Sequence, residues 1–275
     1  MTVRRSLLHT LTLGACAVAL PAALAAQADK PAATKPAATT SATTTAAAMP
    51  TARQVIDAYV NAIGGREALV ARKSVQSSAT LEVPAAGIKA DIVSSTMAPN
   101  KLLVKTNMPG LGELMQGFDG TTGWAIDPMQ GARVLGGPEL EQMKSQADFL
   151  SELRDPASYA SMDVVADTTF EARPAYKLRL VRKSGDEVRE FYDKETKLLL
   201  GTQTTVQTGM GPIEATTIRQ DYKQMGGLLV PTKSIQRANG QEFVITVLSS
   251  EVNTVDPTVF ELPAQIKALV PAPAK

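Results

Sequence analysis

Alternating apolar and polar residues, in runs separated by short turns, occupy most of the chain after Ser74, and they limit the possible folds more than any other feature. Between Val75 and Val83, apolar or small residues alternate with polar ones, which is typical of a strand with one buried face. Asp119-Gly120, Gly185-Asp186 and Asn239-Gly240 separate such runs and favour hairpin turns. Strands joined by short turns pair antiparallel. The pattern therefore predicts a mainly β (α+β) protein.

Two segments have a helical period instead. Val55, Tyr59 and Ile63 recur at helical spacing before Gly64-Gly65, and a short second helical turn is expected at residues 66–71. The other helical segment is Pro138–Leu150, where we expect a helix with one apolar face. A long antiparallel sheet usually closes, splits or curls. We therefore expect a curved, incompletely closed antiparallel β-barrel with helices covering its concave side; two packed sheets are the alternative.

The run Phe243–Leu248 is apolar at nearly every position rather than at alternate ones. Such a run is typical of a strand that is covered on both faces of the sheet. We therefore expect both faces of this strand to be buried.

The N-terminal 28 residues are typical of a secretory signal peptide. Arg4 and Arg5 precede an apolar stretch, and Ala26-Gln27-Ala28 ends it with small residues at the spacing of a cleavage site. A membrane-spanning helix needs roughly 20 continuous apolar residues, and His9 and Pro21 interrupt this stretch. We therefore expect export to the periplasm and no integral membrane span in the mature form.

The rest of the chain divides by composition. Residues 29–50 are almost entirely Ala, Thr, Pro and Lys, which predicts a disordered tether. Residues 51–263 are expected to form one domain, and residues 264–275 a flexible tail. The segment ending at Cys16 resembles a lipobox, so a lipid anchor at that cysteine is an alternative to its being part of the signal peptide.

Composition excludes several classes of function. The chain has one histidine, His9, and one cysteine, Cys16, and both lie in the expected signal peptide. The mature protein would therefore lack the usual residues for a Ser-His-Asp or Cys-His site and for binding zinc, copper or haem, and we expect no cofactor. The 28 basic and 27 acidic residues nearly balance, so nucleic acid is not an expected partner.

Carboxylates are the remaining candidates for catalysis. Glu113, Asp119 and Asp127 lie near one predicted hairpin and could in principle act as an acid–base pair. However, Asp119 precedes Gly120 and Asp127 precedes Pro128, and both positions are ordinary turn positions for aspartate. We therefore do not expect an enzyme.

The positive indication is an apolar, methionine-rich region. Methionine is flexible and polarizable and suits sites for variable apolar ligands. Met97 and Met115 lie in the first group of strands, and Met143 lies on the predicted helix. We expect an apolar cavity beneath that helix, with Trp124 and Phe118 as rigid walls on either side of one turn. The candidate ligand-binding residues are Leu81, Met97, Leu103, Met115, Phe118, Trp124, Leu140, Met143, Ala147 and Leu150.

Several short motifs occur in an order that carries a family resemblance. They are Ile63-Gly64-Gly65, Gly117-Phe118-Asp119-Gly120 followed by Gly123-Trp124, Phe191-Tyr192-Asp193, Gly226-Gly227 followed by Val230-Pro231, and Asn253, Asp256, Phe260 and Pro263. In this order the chain resembles the outer-membrane lipoprotein-sorting (LolA/LolB-like) proteins, in particular stand-alone relatives of a module also found fused to periplasmic zinc peptidases. The resemblance spans residues 51–263.

The resemblance implies an unclosed antiparallel barrel with a helical lid over a hydrophobic cavity that holds acyl chains. A lipid or an acylated protein would then be the partner, and the function would be that of a non-enzymatic periplasmic binding protein. The alternative is a ligand-free interaction module that serves an envelope or peptidase complex through a protein partner. Such a module would have a solid core beneath the helix.

Overall fold

The computed structural model describes residues 49–208 and 211–270. The predicted signal peptide, Cys16 and nearly all of the predicted tether lie outside these residues. The first element is α1 (Ala52–Ala62), and Thr51 caps it. The Thr51 side-chain oxygen accepts a hydrogen bond from the Gln54 amide, and the Gln54 side chain accepts one from the Thr51 amide. Helix α2 (Gly65–Ala71) follows directly, as the sequence predicts.

Thirteen strands in the described ranges form one antiparallel sheet. Their bounds are β1 (Ser74–Val83), β2 (Ile88–Met97), β3 (Lys101–Met108), β4 (Gly112–Phe118), β5 (Gly123–Asp127), β6 (Gly131–Val134), β7 (Tyr159–Phe170), β8 (Arg173–Arg182), β9 (Glu187–Asp193), β10 (Leu199–Thr208), β11 (Gly211–Met225), β12 (Leu228–Ala238) and β13 (Gln241–Val252). All three predicted hairpins are present, joining β4 to β5, β8 to β9 and β12 to β13. The rival arrangement of two packed sheets is not formed.

The chain enters the sheet at its middle. Strands β1 to β6 run outward to one edge, and helix α3 (Gly137–Ala147) and the segment after it then carry the chain to the opposite edge. Strands β7 to β13 return inward until β13 pairs with β1. The edge strands β6 and β7 do not pair with each other, so the barrel stays open, as the sequence predicts.

Helices α1 and α3 cover the same, concave face of the sheet. Residues paired across neighbouring strands point to one face, which places Leu81, Leu102 and Phe118 on the face that packs against α3. Leu178 and Tyr192 point to that face too and pack against α1. The two helices therefore bury two adjoining cores along one open barrel.

The C-terminal segment covers part of the opposite, outer face. Phe260 and Ile266 pack against Trp124 and Leu103, and Ile266 lies in a short helix, α4 (Ala264–Lys267). Residues 264–270, which we expected to belong to a flexible tail, thus include a helix with a fully buried side chain. The apolar positions of this segment were too few to show a period, but they match a patch that the sheet leaves uncovered.

The prediction that Phe243–Leu248 is covered on both faces is wrong. Phe243 is buried, but Leu248 is 59 % exposed. Ser78 pairs with Ser249 whereas Ala79 pairs with Val247, so Leu248 is the extra residue of a β-bulge. In the described part of the chain, no helix is long and apolar enough to cross a membrane.

Candidate functional site

The structure divides the predicted ligand-binding residues between the two faces of the sheet. The concave side holds five of them: Leu81 and Phe118 on the sheet, and Leu140, Met143 and Ala147 on α3. Met97, Leu103, Met115 and Trp124 lie on the outer face under the C-terminal segment, and Leu150 joins the core around α1. The ten residues therefore do not form a single site.

Phe118 and Trp124 are separated because of the register of one hairpin. Phe118 pairs with Gly123, and Trp124 pairs with Gly117, so the two aromatic residues point to opposite faces. The outward-facing Trp124 ring lies directly over Gly117, where a Cβ atom would be 2.5 Å from the ring. The expectation that these two side chains form walls of one cavity is wrong.

The space beneath α3 is filled by protein side chains. Met143 and Ala147 are buried, and they contact the equally buried Phe118 and Leu102. Leu140 approaches so closely that a Cβ atom on Gly123 would lie 2.8 Å from its Cδ1. The side chains of this core therefore pack against one another beneath α3.

A cavity of about 300 Å³ lies beside this core, between the end of α3 and strands β1, β2 and β12. Its apolar wall is formed by Ile63, Leu69, Val75, Leu228 and Val230. Polar side chains complete it: Ser77, Ser94, Thr96, Arg72, Asp148 and Glu152. Of the ten predicted residues, all of which are described, Ala147 belongs to the wall and the other nine do not.

A buried ion-pair cluster forms one end of this cavity. Tyr59 Oη donates to Glu152 Oε2 (2.6 Å), and Arg154 Nη1 and Arg219 Nη1 lie 3.1 Å and 3.5 Å from the same carboxylate. Burial by itself raises the pKa of Glu152, but the charges of Arg154 and Arg219 and the hydrogen bond from Tyr59 outweigh it and lower this pKa to about 2. Glu152 is therefore ionised and fully engaged at neutral pH.

Glu190 completes the cluster. Arg154 Nη2 lies 2.9 Å from Glu190 Oε1, and Tyr192 Oη donates to Glu190 Oε2 at 2.5 Å. Both members of the pair are buried, with Arg154 7 % and Glu190 5 % exposed. Burial by itself lowers the pKa of Arg154, but the charge of Glu190 reverses the effect and holds this pKa well above its ordinary value. The cluster ties the segment after α3 to β9 and β11.

Arg72 is the basic residue at the other side of the cavity. It follows α2, where the backbone becomes extended before β1. Its Nε atom is buried and has no hydrogen-bond partner among the described residues. Burial lowers the pKa of Arg72, and the negative charge of Glu152 offsets part of this effect. The cavity therefore combines apolar walls with a guanidinium group that has hydrogen-bonding capacity to spare.

The carboxylates considered for catalysis have structural roles. Asp119 Oδ1 accepts from the amides of Thr121 (2.8 Å) and Thr122 (2.7 Å). Asp127 Oδ1 accepts from the amide of Met129 (2.7 Å) at the opposite end of β5. Both are turn residues, as the sequence favours, and Glu113 is exposed at the start of β4. Within the described ranges, no three His, Cys, Asp or Glu residues are grouped to hold a metal ion.

Sequence reasoning missed the cluster residues Tyr59, Glu152, Arg154, Glu190 and Arg219. For Glu190 a signal was present. The Gly185-Asp186 turn fixes the register of β8 and β9, and this register places Glu190 opposite the apolar Leu178. A carboxylate at an inward position of a strand indicates a buried partner of opposite charge. Glu152 lies in a single 3₁₀ turn after α3 and Arg154 directly follows it, and no periodicity could place them.

Comparison with known proteins identifies the fold. No family model matches the chain, and neither does any curated protein. Among solved structures, a LolA superfamily protein from Nitrosomonas europaea matches with a TM-score of 0.56 at 12 % identity, over 78 % of this chain and 99 % of that one. The chain has a LolA-like fold.

Two further structures agree with this assignment. A DUF1329 family protein from Desulfovibrio piger has a TM-score of 0.54 at 10 % identity, over 78 % of this chain and 98 % of its own. A domain described as an outer membrane lipoprotein-sorting protein, from Vibrio parahaemolyticus, has a TM-score of 0.50 at 12 % identity, over 76 % and 95 %.

Proposed function

We propose that the protein is a periplasmic, non-enzymatic binding protein that holds an acyl chain or another hydrophobic ligand in the cavity beside α3. The observation that carries the proposal is the cavity of about 300 Å³ on the concave side of a LolA-like fold, whose wall combines apolar and polar side chains. Ligand pockets span roughly 300–1,000 Å³ and are lined mainly by apolar side chains with a few polar groups. The cavity fits the lower end of that range.

Two further observations support a role in lipid or lipoprotein trafficking. One of the proteins with the same fold is described as an outer membrane lipoprotein-sorting domain. The N-terminal sequence is typical of a secretory signal, which would bring the protein to the compartment in which lipoproteins are sorted. A lipid anchor at Cys16 is the alternative form of the same proposal.

The first test is native mass spectrometry of the exported full-length chain, purified from an envelope fraction without detergent. The proposal expects a bound mass that is released on denaturation and corresponds to an acyl lipid. Protein stripped of this mass should also take up added dodecanol. A ligand-free mass that stays unchanged after incubation with envelope lipids would contradict the proposal.

Two neighbouring serines provide a matched pair of variants. Ser77 lines the cavity, whereas Ser78, the next residue of β1, points to the outer face. Each hydroxyl contacts one serine of β13: Ser77 Oγ lies 3.4 Å from Ser250 Oγ, and Ser78 Oγ 2.7 Å from Ser249 Oγ. Ser77→Phe should fill the cavity and abolish ligand uptake, and Ser78→Phe should not. Equal ligand uptake by both variants would show that the cavity is not the binding site.

A second candidate function is a ligand-free interaction module of an envelope complex. The observation that favours it is the core beneath α3, where Leu140, Met143 and Ala147 pack against side chains of the sheet. This candidate expects a stoichiometric protein partner and an empty cavity in the mass spectrometry experiment. The two outcomes therefore separate the two functions.

A further inference from the structure

Arg72 has an incomplete set of contacts on the cavity wall. Its Nε atom is buried without a hydrogen-bond partner, and the residue forms none of the ion pairs found in the described part of the chain. A guanidinium group has five N–H donors, and an N–H buried without an acceptor is unfavourable because its bond to water is lost and not replaced. Because Arg72 also lines the cavity, its guanidinium charge is available to an acceptor supplied from outside the chain.

The carboxylates nearest to Arg72 are already engaged. Glu152 shares the cavity with Arg72, but its oxygens contact Tyr59, Arg154 and Arg219. Asp148 also lines the cavity, and its Oδ1 accepts from the amide of Leu150 (3.2 Å). Neither carboxylate forms an ion pair with Arg72 within 4.0 Å.

The surroundings of Arg72 indicate what kind of acceptor would fit. Val75, Leu69 and Ile63 line the same cavity as the guanidinium, and they favour an aliphatic chain. Ser77 and Ser94 face each other across β1 and β2 in the same wall, and the Ser94 hydroxyl can donate a hydrogen bond. An aliphatic chain that ends in an oxyanion would satisfy both parts of this surface.

We propose that Arg72 binds the anionic head group of a single-chain acidic amphiphile whose chain occupies the apolar part of the cavity. The planar guanidinium fork matches the two oxygens of a carboxylate or phosphate. The volume of about 300 Å³ is small for a ligand pocket, which favours one chain over several. This inference rests on the proposed function, because it assigns the ligand class of the same cavity.

The test compares ligands that differ only in the head group. Isothermal titration calorimetry of the full-length exported protein, stripped of co-purified lipid, would use dodecanoate, dodecyl phosphate and dodecanol below their micelle concentrations. We expect both anions to bind at least about tenfold more tightly than dodecanol, since a charged hydrogen bond to Arg72 is lost with the alcohol. The tighter of the two anions then distinguishes a carboxylate from a phosphate head group.

Variants on one helix and its end provide the control. Arg72→Gln should weaken binding of the preferred anion at least about tenfold and leave dodecanol binding unchanged. Arg66→Gln should change neither, because Arg66 is exposed on α2 and does not line the cavity. Arg72→Lys keeps the charge but loses the planar fork and should give intermediate affinity. Circular dichroism melting curves would check that each variant folds.

The outcomes separate this inference from the proposed function. Equal affinity of the wild-type protein for dodecanoate, dodecyl phosphate and dodecanol would overturn the role of Arg72 while leaving the cavity as a binding site. Undiminished binding of the anions by Arg72→Gln would do the same. Failure of all three amphiphiles to bind would overturn both proposals. If Arg72→Gln does not fold, the comparison of head groups on the wild-type protein and the affinity of Arg72→Lys still decide whether Arg72 binds the head group.

Discussion

Glu152 and Glu190 are held on either side of Arg154 on the concave face, where Arg154 and Glu190 are buried and Glu152 is partly exposed. A buried ion pair adds little net stability, because its formation removes two charges from water. Removal of one partner is costly, however, since the other charge remains buried. The cluster therefore fixes the position of the loop after α3, and with it one end of the cavity, more than it adds to the free energy of unfolding.

The pKa of Glu152 leads to a prediction about acid stability. Its folded pKa of about 2 lies below its ordinary value of 4.5. A depressed carboxyl pKa stabilises the fold above the ordinary value, and this contribution disappears as the pH falls toward the folded pKa. The difference in unfolding free energy between the wild type and Glu152→Gln should therefore be largest above pH 4.5 and shrink between about pH 4.5 and pH 2.

Urea unfolding at a series of pH values would measure this difference. Glu251→Gln is the control, since Glu251 is exposed on β13 and a surface change of this kind shifts stability by no more than about 0.5 kcal/mol. A Glu152→Gln difference that is constant from neutral pH to pH 2 would contradict the assigned pKa.

At the scale of single elements, the hairpin of β4 and β5 determines which aromatic side chain faces which way. Asp119 accepts hydrogen bonds from two backbone amides in the turn. These bonds fix the register in which the two strands pair. A shift of the pairing by one residue would place Phe118 and Trp124 on the same face. The sequence predicts the turn and both strands of this hairpin correctly, but the shared location of its two aromatic rings was an additional assumption. That assumption failed because residues on the two sides of a turn share a face only when they are paired or lie an even number of residues from a pair.

Gly117 provides the prediction for this element. A Cβ atom there would lie 2.5 Å from Trp124 Cζ2, so Gly117→Ala should displace the ring and destabilise the protein by about 1–3 kcal/mol. Gly136→Ala is the control, because a Cβ atom at that position meets open space and loss of a glycine cap costs less than about 1 kcal/mol. Urea unfolding followed by the emission of the single tryptophan would measure both. Equal stabilities would contradict the close contact.

At the scale of the whole molecule, the two faces of the sheet carry different features. The concave face carries the helices, the ion-pair cluster and the cavity, whereas the outer face near β3 to β6 is covered by the C-terminal segment. Trp124 and Ile266 belong to the outer face and do not line the cavity. Changes on the outer face should therefore alter stability and leave ligand affinity unchanged.

Ile266→Ala tests this separation. Ile266 is fully buried, so its truncation should lower the free energy of unfolding by about 2–5 kcal/mol. Leu269→Ala, three residues later, is the control, because Leu269 is 50 % exposed and should cost less than about 1 kcal/mol. Dodecanoate affinity, measured by calorimetry below the unfolding temperature, should be the same in both variants. A loss of affinity in Ile266→Ala alone would indicate that the two faces are coupled.

The sequence by itself determined the local structure and the fold class. Period-2 alternation, helical spacing and glycine-containing turns depend on neighbouring residues, so most of the strands, the three hairpins, α1, α2 and the position of α3 could be predicted. The open antiparallel barrel followed from the number of consecutive strands and from the family resemblance.

Only the tertiary structure decided where the cavity lies. Its wall combines residues as far apart in sequence as Arg72, Glu152 and Leu228. No local sequence pattern predicts contacts between residues so far apart. The methionines and aromatic residues that suggested a cavity are used mainly for packing, and a polar loop encloses the open space instead. The physical reason is that an apolar residue is equally suited to a core and to a ligand wall, and the register of the sheet and the path of the loop after α3 determine which role it has.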